Sequence, residues 1–181
     1  MKFINAHLIF NGFKKKVRLQ AGLEEYSALD TAKYFIKKAT EESDVKLTPL
    51  KLQKLLYYAQ GWYLANKNRP LFKDTIEAWK YGPAIPSIYR HFREYGSQPL
   101  FDKDIDISDT NEKIDDKTKK YLDKVWVVYK KYDGTDLVYT THKEDPWIEA
   151  KSDTISSNDF IDYSISNDSI KSYFQKKINN G

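Results

Sequence analysis

The run His142-Lys143-Glu144-Asp145 sets an imidazole beside two carboxylates. Those residue types suit acid–base work, or a share of a metal site, if a third group arrives from elsewhere in the fold. The same run also reads as a turn held by Pro146, with His142 capping or hydrogen-bonding it, and that is the preferred reading. Asp102, Asp104 and Asp106 alternate as calcium ligands do. A calcium loop of the EF-hand kind also needs glycine at its sixth position and glutamate at its twelfth, and those positions hold Ile107 and Lys113. His7, His91 and His142 form no pair at helical ligand spacing, and there is no HExxH. The glycines are scattered singly, which excludes a glycine-rich phosphate loop, and no GxSxG elbow is present. With no cysteine, thiolate metal sites, a cysteine nucleophile and disulfides are excluded as well. The sequence therefore nominates no catalytic residue, no metal ligand and no cofactor, and the expectation is a protein that is not an enzyme.

Aromatic residues are the remaining chemistry. Trp79, Tyr81, Tyr89, Phe92, Tyr95 and Trp147 fall in or near loops punctuated by Pro83, Pro86 and Pro146. Most aromatic side chains build cores, but Trp and Tyr are also enriched where proteins grip partners. Trp79, Tyr81, Pro83, Ile85, His142 and Trp147 are accordingly the candidate partner-binding residues. Lys14, Lys15, Lys16 and Arg18 form a candidate basic contact, read against the plainer alternative of an edge strand guarded by charge.

The elements that position these residues are mostly helical. Asn11-Gly12 between two runs of strand-type residues predicts an N-terminal β-hairpin, Phe3–Phe10 with Phe13–Leu19. Ser27 caps a predicted helix over 28–42, with Asp30 at the acidic capping-box position. Thr48 and Pro49 open the next, to about Ala65, with Leu52, Leu55, Leu56, Ala59, Trp62 and Tyr63 on a core-facing stripe. Gly61 within it predicts close helix packing. A short helix or strand capped by Asp74 follows, and then a turn at Gly82-Pro83. Further helices are predicted from Pro86 to Tyr95, from Asp116 to Tyr132 (ended by Asp133-Gly134), over 136–141, over 147–151 and, capped by Asn167 or Asp168, over 169–178. Residues 101–116 carry seven acids and read as a solvated loop.

At 181 residues and a net charge of +4, the chain fits one domain, and its mild charge permits contact with nucleic acid or an acidic protein without demanding either. The apolar stretch at Phe3–Phe10 precedes Lys14-Lys15-Lys16, the reverse of an export signal, and no segment reaches membrane-spanning length. A soluble cytoplasmic protein without membrane contact is expected.

Three strings together are specific: LTPLKLQKLLYYAQGWYLA, then PLFKDTIEAWKYGPAIPSIYRHFREYG, then THKEDPW. In kind and order they resemble the Panacea family, the SocA-like antitoxin domains, over roughly Ser27 to Phe174. The motif positions are Leu52, Lys54, Leu55, Tyr57, Trp62 and Leu64, then Ala78, Trp79, Gly82, Pro83 and Tyr89, then Thr141, His142, Pro146 and Trp147. The resemblance implies a mainly α, single helical domain over 27–178. The segment 1–26, with its predicted hairpin, is an extension beyond the family pattern. It also implies a non-catalytic antitoxin that neutralises a cognate protein toxin by direct binding. The toxin would be encoded by an adjacent gene in a phage or other mobile element. The alternative is a DNA-binding regulator of such an operon, with operator DNA as partner and Lys37, Lys38, Lys51 and Lys54 beside the hairpin cations on phosphates.

Overall fold

The computed structural model describes residues 26–42, 44–101, 105–107, 113–156 and 163–180. The predicted N-terminal hairpin, with Lys14, Lys15, Lys16 and Arg18, and most of the acidic loop lie outside those residues. Helix α1 spans Ala28–Glu41, and Ser27 and Asp30 complete the reciprocal capping box. Helix α2 spans Pro49–Lys67; the Thr48 hydroxyl accepts from the Lys51 amide, proline occupies the first turn, and Asn68 in left-handed conformation ends the helix. A two-stranded antiparallel hairpin follows, β1 (Glu77–Trp79) and β2 (Gly82–Ala84). Helix α3 (Pro86–Phe92) runs on into a 3-10 turn at Arg93–Tyr95. Helices α4 (Asp116–Tyr129), α5 (Gly134–Thr141), α6 (Asp145–Ser156) and α7 (Asn167–Asn179) complete a mainly α fold.

Helix α2 is the axis of the domain. Every residue from Lys51 to Leu64 is buried, so the single apolar stripe expected of it is replaced by burial on all faces. Such a helix needs neighbours all round, and α1, α3, α4, α5, α7 and β2 all pack against it. The closest approach is to α7, where Gly61 leaves room for the Phe174 ring. That ring stands edge-on to Trp62 and to Tyr57, with centroids 4.8 and 5.7 Å away. On the α4 side Tyr58 stacks on Tyr129 at 4.1 Å, and the Trp62 indole donates to the Tyr129 hydroxyl at 2.8 Å. Apolar and aromatic burial supplies the stabilisation, while the Trp62–Tyr129 bond satisfies the buried indole N–H.

Several local expectations shift. The hairpin turn falls at Lys80-Tyr81, and Gly82-Pro83 pairs with Ala78 and Trp79 in β2. Pro83 is tolerated there because this edge of β2 carries no further strand among the described residues. On the outer side of β1 the segment around Ser164 adds backbone bonds: the Ala78 amide donates to the Tyr163 carbonyl, and the Ile165 amide to the Ile76 carbonyl, both at 2.7 Å. Asp74 caps no local helix. It accepts from the Ala28 amide at 2.9 Å and the Ser87 hydroxyl at 2.7 Å, tying the start of α1 to that of α3. Asp133 begins α5 with a capping box, and Ser166 caps α7 in place of Asn167 or Asp168. No helix among the described residues is long and apolar enough to cross a membrane.

Candidate functional site

The hairpin is held from beneath by polar side chains of α2. Gln53 pairs with the backbone of Ile85 as a strand would, its carbonyl accepting from the amide at 2.7 Å and its NH2 donating to the carbonyl at 3.2 Å. About two turns further along α2, the Gln60 carbonyl accepts from the amides of Leu71 and Phe72. Its NH2 donates to the Phe72 carbonyl and the Asn167 side chain. Both glutamines are buried, and they clamp the segment carrying the hairpin at either end. Helical periodicity does not single them out, because a polar residue on a helix reads as a solvent face. The signal that could have found them is their place inside a helix polar at too few positions to have a wet face.

Replacing Gln53 with leucine leaves the Ile85 amide buried without a partner, while the Ile85 carbonyl keeps its bond from the Tyr89 amide at 2.9 Å. An unsatisfied buried amide costs about 1–3 kcal/mol, so Gln53→Leu is expected to lower the unfolding free energy by that amount, about 1–3 kcal/mol. A denaturant titration matching wild type would show that the clamp contributes nothing.

Lys54 lies between the glutamines. It is 1% exposed, and its ammonium donates to the Pro83 carbonyl at 2.8 Å. No carboxylate among the described residues pairs with it, and burial pushes its pKa down to about 7. Gly82 makes this approach possible. Its φ is +88°, and a Cβ there would lie 2.6 Å from the Thr141 hydroxyl and 3.2 Å from Nζ of Lys54. The glycine thus serves both the turn and the packing.

Trp147 braces the hairpin from the other side. Its indole donates to the Trp79 carbonyl at 3.0 Å, and its ring stacks on His142 at 4.1 Å. His142 caps the end of α5, and its Nε2 is buried without a partner. Burial first, and the Lys54 charge second, hold its pKa below the ordinary value, while the Lys80 backbone acts the other way.

The pairing of His142 with Glu144 and Asp145 does not form. Glu144 is buried toward α2, where its Oε1 accepts from the Tyr58 hydroxyl at 3.3 Å, and Asp145 is exposed. Among the described residues no cluster of three His, Asp or Glu side chains could hold a metal ion.

The six candidate partner-binding residues therefore divide by position. Tyr81 at the turn is 60% exposed, and Trp79 is partly exposed with its ring edge-on to Tyr89 at 5.0 Å. Trp147 and His142 are partly buried braces. Pro83 and Ile85 are buried, and reach a partner only through the shape they give the hairpin. Tyr89 is 48% exposed beside them, a surface aromatic absent from the candidate set. Trp79, Tyr81 and Tyr89 border an open cavity of about 470 Å³, with Leu50, Ile88 and Phe92 among its apolar lining and Lys54 also in its wall.

Two of the lysines assigned to phosphates in the DNA-binding alternative are buried below the protein surface. Lys51 is 4% exposed and donates to the Lys130 carbonyl at 2.6 Å, and Lys54 is engaged as above. Lys38 pairs with Glu41 and Asp123. Neither Lys51 nor Lys54 therefore lies where a nucleic-acid backbone running over the surface would meet it.

Comparison with known proteins places this site inside a recognised domain. Antitoxin SocA of Caulobacter vibrioides (strain NA1000 / CB15N) is 44% identical over 62 residues, which cover 34% of this chain and 33% of that protein. The match thus spans about a third of the length of that relative. No solved structure matches significantly. The family model "Antitoxin SocA-like, Panacea domain" matches residues 52–148, from the buried face of α2 through the hairpin to the His142–Trp147 brace, and the chain belongs to that family.

Proposed function

We propose that this protein is an antitoxin that neutralises a cognate protein toxin by direct binding, with the hairpin tip and the adjoining cavity as the contact face. The observation that carries the reading is the pair of exposed tyrosines, Tyr81 and Tyr89, at the rim of an open apolar cavity within the family segment. Exposed aromatics around a concave apolar surface are what interface hot spots are made of. The clamp by Gln53, Gln60 and Trp147 keeps that face preformed, which limits the ordering cost of association. Masking the toxin's active surface, or holding the toxin in an inactive shape, requires no chemical step. The toxin is encoded beside this chain in a mobile element.

The test is co-expression with the adjacent small open reading frame in a host which that neighbour inhibits. Restored growth and co-purification are expected. Tyr81→Ala is expected to weaken rescue and to lower affinity at least about tenfold, a hot-spot loss of ~1.4 kcal/mol or more. Because Tyr81 is mostly exposed, its melting temperature should stay within a degree or two of wild type. Full rescue by a normally folded Tyr81→Ala protein would place the contact face elsewhere.

A further inference from the structure

The cavity beside the hairpin has an electrostatic character that an apolar docking groove does not need. Its wall contains Lys54, Lys80 and Arg93 and no acidic residue. Arg93 is exposed and already pairs with Glu94. Lys80 sits over the Tyr81 ring at the turn. Lys54 differs from both: it is almost wholly buried, and one of its three N–H groups goes to the Pro83 carbonyl. Its charged form has no counter-ion among the described residues, and the nearby His142 only adds to the positive side. A buried cation without a carboxylate is a costly arrangement for folding alone, since an apolar side chain of similar length would fill the same volume without that cost.

We propose that Lys54 is the anchor of a carboxylate-binding subsite at the inner end of this cavity. The subsite would take an acidic segment of the partner polypeptide whose neighbouring aromatic side chain lies between Tyr81 and Tyr89. The partner's carboxylate supplies the counter-ion the fold omits, and desolvation makes that pairing stronger than a surface ion pair. The depressed pKa of the amine in the free protein agrees with this: an entering carboxylate restores the charged form. The acid-free wall also rejects a basic segment, giving selectivity as well as affinity. The inference rests on the antitoxin reading for the identity of the partner, but the subsite can be probed without the toxin.

N-acetylphenylalanine, which joins an aromatic ring to a carboxylate, is the probe, and its neutral amide is the control. Titrations into the full-length protein are followed by the indole and tyrosine resonances. The acid is expected to shift signals of Trp79, Tyr81 and Tyr89 and to bind at least about tenfold more tightly than the amide, one desolvated ion pair's worth of discrimination. Lys54→Met should retain the fold and lose that preference, and Lys54→Arg should keep part of it. In the toxin complex Lys54→Met is expected to reduce affinity about tenfold or more. Equal binding of acid and amide, or an undiminished preference in a folded Lys54→Met protein, overturns the subsite. Wild-type protein that binds the acid selectively but no toxin would sink the antitoxin reading and leave the subsite standing. Tight toxin binding unchanged by Lys54→Met would do the reverse.

Discussion

Gly61→Ala is expected to destabilise this protein more than any other single-methyl change to α2. A Cβ at that position would lie 2.3, 2.5 and 2.7 Å from three atoms of the Phe174 ring. No real side chain tolerates such distances, so α2 and α7 must separate or the ring must leave its place. Neither is cheap. Phe174 is fully buried and packs against Tyr57, Tyr58, Trp62 and Tyr173. Overpacking of this severity costs about 3 kcal/mol or more, beyond the fraction of a kcal/mol that alanine's better helix propensity returns. Phe174→Leu, which vacates part of the ring volume, should partly rescue Gly61→Ala although it destabilises the wild type by itself. Coupling of that sign in a double-mutant cycle identifies the clash as the cause. If denaturant unfolding finds Gly61→Ala as stable as wild type, the two helices do not meet as described.

The second large effect is a dependence of stability on pH set by two buried groups of opposite charge. Glu144 is 3% exposed, and burial pushes its carboxyl up to about 7 against the opposing influence of Lys177 and the hydroxyls of Tyr57, Tyr58 and Tyr173. The unfolded carboxyl titrates at its ordinary 4.5. Between those values the folded state holds a proton that the unfolded state has released, so Glu144 makes stability fall as pH rises through this window. Lys54 acts in the opposite sense at higher pH. Its folded amine titrates at about 7 and its unfolded one at 10.5, so the unfolded state holds the extra proton and stability rises with pH between them. The rise should end near pH 10, where the buried tyrosines, raised above their ordinary value of 10, begin to ionise in the unfolded chain.

At about 1.4 kcal/mol for each pH unit between the folded and unfolded values, each group contributes a few kcal/mol across its window. His142, lowered by burial, opposes Glu144 up to its ordinary 6.5, so the clean readout is the difference between wild type and variant. Glu144→Gln is expected to gain stability on wild type as pH is raised from about 5 to 7, and Lys54→Met to be more stable than wild type at pH 7 and to lose that advantage by about pH 10. Differences that stay flat with pH would show that neither group is buried as an uncompensated charge.

How much of this was legible beforehand follows from the range of each interaction. Ser27 with Asp30, and Thr48 with Pro49, announce the starts of α1 and α2, because a cap acts on amides two or three residues away. The close packing implied by Gly61 was equally readable as a fact, though not its partner. Where the partner lies far along the chain, local reading misassigned the residue. Asp74 looks like a cap for its own segment but joins α1 to α3. Asp133 and Gly134 look like the end of one helix but start the next. His142 and Glu144 are near neighbours in the chain but face different partners, in keeping with the preferred turn reading of that run: His142 caps α5 and stacks on Trp147, and Glu144 turns to Tyr58.

By itself the sequence determined the helical class, the strongest helix starts and the family, all of which rest on short-range pattern and on three strings in fixed order. Only the tertiary structure decided that α2 is enclosed on every face. That enclosure turns Gln53 and Gln60 into clamps for the hairpin and leaves Lys54 in an acid-free wall. It also decided which aromatics remain at the surface: Tyr81 and Tyr89 stay out, while Tyr57, Tyr58, Trp62 and Trp126 go in. The physical reason is that a side chain's type states what it can do in water or in a core, whereas its solvent depends on elements dozens of residues away that pack over it or leave it open.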